Sequence, residues 1–269
     1  STAKTVQLLI EANVKCIGLK DGQGCTPIHL ACAYDAKLEV TKLLLEASAE
    51  GIKDRDNCWW TPLHYACYHG ASLEVVQFIV NSRADSVEAR DNCGRSPFQL
   101  ACMNGTKLEV VKMLLERDPS AIEAIDASGQ TPLHQACCSK ASLEVVQLLL
   151  EIYPKAIEVK DKRGDTPLEC MCRHEEPQVE VVALMTIFHL LLMLTRENFE
   201  EAKEILLKFV QEEWWGGVLA VLDLHPSVAI VMDLQDKLIP FLFSMIGRRR
   251  KLSSLWQLLS ERPDLLANC

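Results

Sequence analysis

Apolar residues recur at helical spacing in several similar stretches of this chain. In one such stretch, Leu143, Val146 and Leu150 fall on one face of a helix. Glu144 and Gln147 fall outside that face. The pattern predicts an amphipathic helix whose apolar stripe is buried in a core. Other copies of the stretch begin at Leu38, Leu73 and Leu108.

A second pattern, Thr or Ser followed by Pro, precedes each of these stretches at a constant period of 35 residues. Its five copies begin at Thr26, Thr61, Ser96, Thr131 and Thr166. A Thr or Ser hydroxyl accepts a hydrogen bond from a free amide at a helix start, and Pro has a φ already suited to the first helical position. We therefore predict a short helix at each copy and a repeat built from two helices.

The best copy, Thr61-Pro-Leu-His-Tyr-Ala-Cys67, is followed by a Leu-Glu-Val-Val run and, further on, by an Asp-x-x-Gly turn. This combination resembles the ankyrin repeat family, whose usual period is about 33 residues. The two additional residues fall in the helix–helix loop and in the loop after the second helix. The resemblance implies an all-α fold, an ankyrin-repeat solenoid of helix-turn-helix units with short loop tips.

The periodicity divides the chain into two regions. Residues 1–194 are predicted to be ankyrin repeats, with a partial repeat at 1–20 and five repeats of about 35 residues after it. Residues 195–269 are predicted to form an all-helical C-terminal capping region, since the last repeat of a solenoid needs a covering layer. The chain starts in the middle of a repeat, so we expect a fragment or an unusual first half-repeat. A targeting segment upstream remains open.

An apolar run at 181–194 could suggest a membrane segment. It has 14 residues, whereas a membrane-spanning helix needs about 20. We therefore predict a buried helix and no membrane association. The amphipathic stretch that follows it has Phe199, Leu206 and Phe209 on one face and predicts another packed helix.

Charge and cysteine usage restrict the possible environments. The formal net charge of −9 argues against nucleic-acid binding, because an acidic surface repels phosphates. Five of the 12 cysteines, Cys32, Cys67, Cys102, Cys137 and Cys172, share one repeat position where a small buried residue fits. We expect them to be too far apart for disulfides and predict a reducing compartment, cytoplasmic with a nuclear location possible.

Candidate catalytic and metal-binding residues have simpler structural explanations. His29, His64 and His134 occur once per repeat, so they do not converge as metal ligands do. We expect each to link its helix cap to the next loop. No second Cys/His pair lies at zinc spacing from Cys170 and Cys172, and no nucleophile elbow or phosphate-binding loop is present. The sequence thus predicts no enzyme activity, no cofactor and no metal.

Two local features leave alternatives open. The tips of four repeats have Gly where a positive φ is expected, but the second repeat has Trp59 there. Either this loop has another shape, or Trp59 offsets the strain by packing. The basic run 248–251 is either a nuclear-import or phosphate-binding patch or a solvated loop.

The resemblance implies a concave face built from loop tips and first helices, which binds protein partners. Aromatic residues are concentrated in the first two repeats and basic ones in the fifth, so a partner with an apolar anchor at one end and an acidic stretch at the other would fit. The alternative for Trp60 is simple packing on the neighbouring tip. The predicted contact residues are Tyr34, Trp60, Tyr68, His69, Arg95, Met103, Asn104, Gln130 and Arg173.

The sequence as a whole predicts a monomeric, non-enzymatic protein-interaction scaffold. The alternative is an architectural segment that spaces other domains of a longer protein and has no dedicated ligand. Neither the partner nor its pathway follows from the sequence.

Overall fold

The structure is a computed structural model that describes residues 2–34, 36–104, 106–139, 141–173, 178–193 and 199–211. Throughout these ranges the regular structure is helical and no strand occurs, as the sequence predicts. The chain forms two compact units, residues 1–182 and 183–269. The boundary placed at residue 194 remains a prediction.

Each repeat contributes a short first helix and a longer second helix. The first helices are α2 (Pro27–Ala33), α4 (Pro62–Tyr68), α6 (Pro97–Met103), α8 (Pro132–Cys137) and α10 (Pro167–Cys172). The second helices include α1 (Thr2–Ala12), α3 (Leu38–Ala47), α5 (Leu73–Ser82), α7 (Leu108–Arg117) and α9 (Leu143–Ile152). Successive first helices contact one another and successive second helices do the same, so the repeats stack as parallel layers.

The helix starts follow from the predicted caps. Each first helix begins at Pro, directly after a Thr or Ser with extended backbone. The Ser96 hydroxyl accepts from the Gln99 amide at 3.2 Å, and in return Gln99 Oε1 accepts from the Ser96 amide at 3.0 Å. This reciprocal capping satisfies two amides that a helix start leaves free.

The second helices bury the predicted apolar stripe. In α9, Val146, Leu149 and Leu150 are buried and Leu143 is partly buried. Each fully buried Val or Leu side chain stabilises the fold by about 1.5–3 kcal/mol relative to an exposed one. Packing against neighbouring repeats therefore stabilises helices of ten residues that would be marginal alone.

A further element, a five-residue 3₁₀-helix after each of α1, α3, α5, α7 and α9, was not predicted. Each one buries a single branched aliphatic residue, such as Ile52 or Ile157, beside the core. The long loop after each second helix is thus a folded segment. The five 3₁₀-helices are Val14–Gly18, Ala49–Lys53, Ala84–Glu88, Pro119–Glu123 and Pro154–Glu158.

Two further helices are described: α11 (Val179–Met193), where the second helix of the fifth repeat is predicted, and α12 (Phe199–Gln211). In α12, Leu206 and Phe209 are fully buried while Lys208 is exposed, which confirms the predicted apolar stripe at these positions. The rest of the predicted cap, with the basic run at 248–251, lies outside the described residues. None of the helices in the described ranges is long and apolar enough to cross a membrane.

Candidate functional site

The loop tips are built on one repeated aspartate. Asp56 Oδ1 accepts hydrogen bonds from the Cys58 and Trp60 amides, both at 2.8 Å. The amide of Asn57 donates to the Gln23 carbonyl of the preceding tip at 3.0 Å. The same pattern recurs at Asp91, Asp126 and Asp161. Each tip is therefore closed on itself and joined to its neighbour by backbone bonds.

The cap histidines link successive repeats, as predicted. The Thr61 amide donates to His64 Nδ1 at 3.1 Å, which makes Nδ1 the acceptor and leaves the proton on Nε2. His64 Nε2 then donates to the Arg95 carbonyl of the next tip at 3.2 Å. His29 and His134 bond the next tip in the same way, at 3.1 Å each.

The surroundings of these histidines favour the neutral imidazole. Burial removes water from the ring and lowers the pKa of His64 to about 4, despite the bond to the Arg95 carbonyl. Burial also lowers the pKa of His29 and of His134. Neutral rings with both nitrogens engaged are structural links, because neither nitrogen is left for a proton or a metal.

Four aromatic rings and one guanidinium gather on the first-helix side of the second repeat. We call Trp60, Tyr65, Tyr68, His69 and Arg95 the aromatic cluster. The ring centroid of Trp60 lies 5.2 Å from that of Tyr65 and 5.1 Å from that of Tyr68, both edge-to-face. The Arg95 guanidinium lies 5.8 Å from the Trp60 centroid. Edge-to-face aromatic pairs stabilise by about 0.5–1.5 kcal/mol each beyond the buried area.

Trp60 is also a structural link between tips. Its indole N–H donates to Asp91 Oδ2 at 3.0 Å, and the same oxygen accepts from Arg95 Nε at 2.9 Å. Trp60 is half-buried. The packing alternative considered for Trp60 therefore describes part of its role, and the more exposed edge of the cluster lies at Tyr68 and His69.

Tyr68 and His69 end the second repeat's first helix. Tyr68 is half-buried and His69 is exposed, with their rings edge-to-face at 5.2 Å. Asn104, at the end of the next first helix, donates from Nδ2 to the Tyr68 carbonyl at 2.9 Å. The structure thus brings together five predicted contact residues: Trp60, Tyr68, His69, Arg95 and Asn104.

Tyr65 belongs to this cluster but was not among the predicted residues. Its hydroxyl donates to Asp56 Oδ2 at 2.8 Å and lies 3.0 Å from the Cys25 thiol. The sequence carried a signal, since the equivalent position is Leu30, Leu100 or Gln135 in other repeats. A cleft of about 400 Å³ opens between the first two tips, with Trp60 and Tyr65 in its wall.

The four remaining predicted residues occupy other positions of the stack. Tyr34 is 82% exposed at the end of α2, and Met103 is half-buried at the end of α6. Gln130 donates to Asp161 Oδ2 at 3.3 Å, and Arg173 pairs with Asp165 at 2.5 Å. Gln130 and Arg173 therefore belong to a separate polar network around the fifth tip.

This network contains the nearest approach to a metal-ligand set in the described part of the chain. Ligand atoms of Asp161, Asp165 and Cys170 lie within 4.8 Å of one another. Asp161 Oδ1 already accepts two amide bonds, its Oδ2 accepts from Gln130, and Asp165 pairs with Arg173. These carboxylates have protein partners, so the hydrogen bonding of the tip explains the group.

The recurring cysteines are buried except for the last. Cys32, Cys67 and Cys102 are fully buried, and burial raises the pKa of Cys32 to about 12. Cys172 is exposed, so the expectation that it would be buried with the others was wrong. Cys67 lies between Cys32 and Cys102 in the stack, whereas Cys172 is the last residue of α10, the final first helix of the described repeats. The cysteines of the described residues are free thiols.

With this geometry established, comparison with known sequences identifies the family. Residues 1–91 and 72–162 match the family described as ankyrin repeats (3 copies), and together they span 162 of the 269 residues. The chain belongs to the ankyrin repeat family. Ankyrin repeats are generally protein–protein interaction modules and are typically non-enzymatic. A search of curated proteins finds no match.

Proposed function

We propose that this protein is a non-enzymatic scaffold that binds a protein partner on its concave face, with the aromatic cluster at the centre of the contact. In this family the concave face is built from loop tips and first helices, where the cluster lies. Trp, Tyr and Arg dominate binding energy when an interface buries them. The observation that carries the proposal is the convergence of three such types, Trp60, Tyr68 and Arg95, beside an exposed His69.

The geometry favours Tyr68 and His69 as the contacting edge. Trp60 donates a hydrogen bond to Asp91 and Tyr65 donates one to Asp56, so these two side chains hold the cluster rigid. A partner would cover the Tyr68 and His69 rings and reach the Arg95 guanidinium, whose side chain is 21% exposed. A rigid platform reduces the entropy lost on binding.

The basic side chains near the fifth tip support a second contact. Lys162, Arg163 and Arg173 are exposed, although Arg173 pairs with Asp165. An acidic stretch of the partner would pair with them while an apolar anchor meets the aromatic cluster. Surface charges of this kind contribute to association rate more than to affinity.

The test is quantitative affinity purification and mass spectrometry with the full chain and a double variant, Tyr68→Ala with His69→Ala. The C-cap bond at His69 uses its backbone amide and not its side chain, so the fold should survive, as circular dichroism would verify. We expect a partner retained by wild type to be lost from the double variant. Tyr153→Ala is the matched control, because Tyr153 is also half-buried but ends a second helix. Equal recovery by both variants would contradict the proposal.

We also propose that the scaffold acts as a monomer in a reducing compartment, the cytosol or nucleus. The support for the compartment is chemical: the cysteines of the described residues are free thiols, which persist in a reducing environment. Light scattering on the purified chain, with and without reductant, tests both points. A reductant-sensitive dimer would oppose them.

A further inference from the structure

Trp59 occupies a backbone position at which the other tips have glycine. Its φ is 66°, while the equivalent Gly24, Gly94, Gly129 and Gly164 have φ of 82°, 75°, 78° and 87°. The second tip keeps the common hydrogen bonds, from Trp59 N to Asp56 O and from Asp56 N to Trp60 O, both at 3.1 Å. The alternative of a differently shaped loop is therefore wrong, and the tryptophan bears the strain of a left-handed residue.

The neighbouring tips show how little space this position offers. A Cβ added at Gly24 would lie 2.7 Å from Asn57 Oδ1, and one at Gly94 would lie 3.0 Å from the Ala127 amide. Trp59 carries a real Cβ at the equivalent point of the second tip. Neither the tip's hydrogen bonds nor its packing requires a large side chain there. Strain of this kind is a reason to look for a function.

The indole of Trp59 is poorly covered by the fold. It is 55% exposed, and the Arg55 guanidinium lies 5.0 Å from its ring centroid. This contact offsets only part of the energetic cost of the strained backbone. Packing of Trp59, the other alternative raised by the sequence, is thus limited to the contact with the Arg55 guanidinium. Most of the ring faces solvent.

A row of basic side chains borders Trp59. Lys20, Arg55 and Arg90 hold the same position in the first three repeats, directly before the tip aspartate. Lys20 Nζ donates to the Arg55 carbonyl at 2.8 Å, and Arg55 donates to the Arg90 carbonyl at 3.3 Å. The nearby acids Glu50 and Asp85 pair with Lys53 and Arg83. The row places three basic side chains along the first three tips of a chain whose formal charge is −9.

We propose that Trp59, Lys20, Arg55 and Arg90, the tip-edge surface, bind an acidic peptide segment that carries a large apolar side chain. The exposed indole contacts the apolar side chain, and the basic row pairs with the carboxylates. Charge complementarity selects this occupant. The proposal adds a second binding surface to the proposed function, because none of these residues belongs to the aromatic cluster.

The experiment is a selection from a display library of random 12-residue peptides against the full chain, with a Trp59→Gly variant as counter-selection. We expect enriched sequences rich in Asp and Glu with at least one large apolar residue. Enrichment of basic or neutral peptides, or no enrichment, would overturn the proposal. A single-stranded oligonucleotide is tested in parallel, and its tighter binding would also overturn it.

Isothermal titration with one enriched synthetic peptide then separates this surface from the aromatic cluster. We expect its affinity to fall at least tenfold in Trp59→Gly, to weaken with added salt, and to change less than twofold in Tyr68→Ala. If Tyr68→Ala alone reduces binding, the peptide uses the aromatic cluster and the tip-edge proposal fails while the proposed function stands. Thermal unfolding supplies the second readout. Trp59→Gly should raise the midpoint, and a lower midpoint would show that Trp59 is a packing residue only.

Discussion

The second and fourth repeats are held together, and joined to the next repeat, by the same polar bonds made with different side chains. In the second repeat, Tyr65 donates to Asp56 Oδ2, and in the fourth Gln135 donates to Asp126 Oδ2, both at 2.8 Å. Likewise Trp60 donates to the next tip aspartate at 3.0 Å, and Gln130 does so at 3.3 Å. The scaffold fixes the position of the hydrogen-bond donor. The amount of apolar surface on the side chain that carries the donor differs between the repeats.

This comparison separates stability from recognition. Both repeats use a buried His at the cap and the same tip aspartate, so these residues set the spacing of the stack. The two repeats differ at the donor positions, where one has aromatic rings and the other has glutamines. Surface available to a partner thus varies while the connections remain constant.

The largest expected effect is the loss of a cap histidine. We expect His64→Ala to destabilise the fold by about 3 kcal/mol, because it opens a cavity and leaves the Thr61 amide and Arg95 carbonyl unpaired. His134→Ala should cost the same within about 1 kcal/mol if the two repeats share one scaffold. The control is His64→Gln, since Gln99 makes the equivalent bonds in the third repeat. Urea unfolding measures all three, and a large loss in the Gln variant would contradict the prediction.

The same histidines should make stability depend on pH. Because folding lowers the pKa of His64 from 6.5 to about 4, its contribution is complete above pH 6.5 and is lost as the pH falls toward 4. For His64 the full loss is roughly 3 kcal/mol. Burial lowers the pKa of His29 and His134 as well, so their protonation also reduces the stability of the fold as the pH falls.

Urea midpoints measured between pH 7.5 and 4.5 would check this. The His64→Gln variant should have a shallower slope across that range. An identical slope in wild type and variant would mean that carboxylates, and not this histidine, govern acid unfolding.

Exchanging the tips is expected to have a smaller effect. Gly129→Trp places a side chain at φ 78°, where a Cβ lies 3.1 Å from the Lys162 amide, so we expect a loss of about 1–2 kcal/mol. The fourth tip has Ile125 where the second has Arg55, so the new ring would lack the guanidinium contact that Arg55 makes with Trp59. Adding Ile125→Arg should restore about 0.5–1 kcal/mol. No recovery, measured by thermal unfolding, would show that the Arg55 contact does not offset the strain.

The smallest expected effect concerns the donor positions. Tyr65→Phe keeps the ring in the aromatic cluster but removes the bond to Asp56 Oδ2, and we expect a loss of about 1 kcal/mol. Gln135→Leu removes the equivalent bond at Asp126 and should cost a similar amount. A much larger loss in one repeat would show that the two connections are not equivalent.

The fold was predictable from the sequence because two signals mark the start of each first helix: the Thr/Ser-Pro cap and the 35-residue period. The 3₁₀-helices were missed, since a stretch such as Ala49–Lys53 buries one aliphatic residue in five and so has no detectable period. Cys172 was misjudged because its position in the repeat is the same as that of Cys137. Only its place in the stack differs.

The candidate site was predictable in part. Position in the repeat identified Trp60, Tyr68 and Arg95, but their convergence depends on distances between repeats that no single repeat encodes. The bond from Trp60 to Asp91 is of this kind, since its partner lies 31 residues away. Tyr65 was overlooked because the position is apolar or amide in most copies.

One residue sets a limit on lengthening this protein by design. At the cap position of the fifth repeat, Glu169 Oε2 accepts from the Thr166 amide at 2.7 Å, as the cap histidines do, but an ionised carboxylate has no proton to offer a following tip. An engineer who grafts another 35-residue unit after the fifth would meet a junction without its usual connection. Changing Glu169 to His would be the first edit to make.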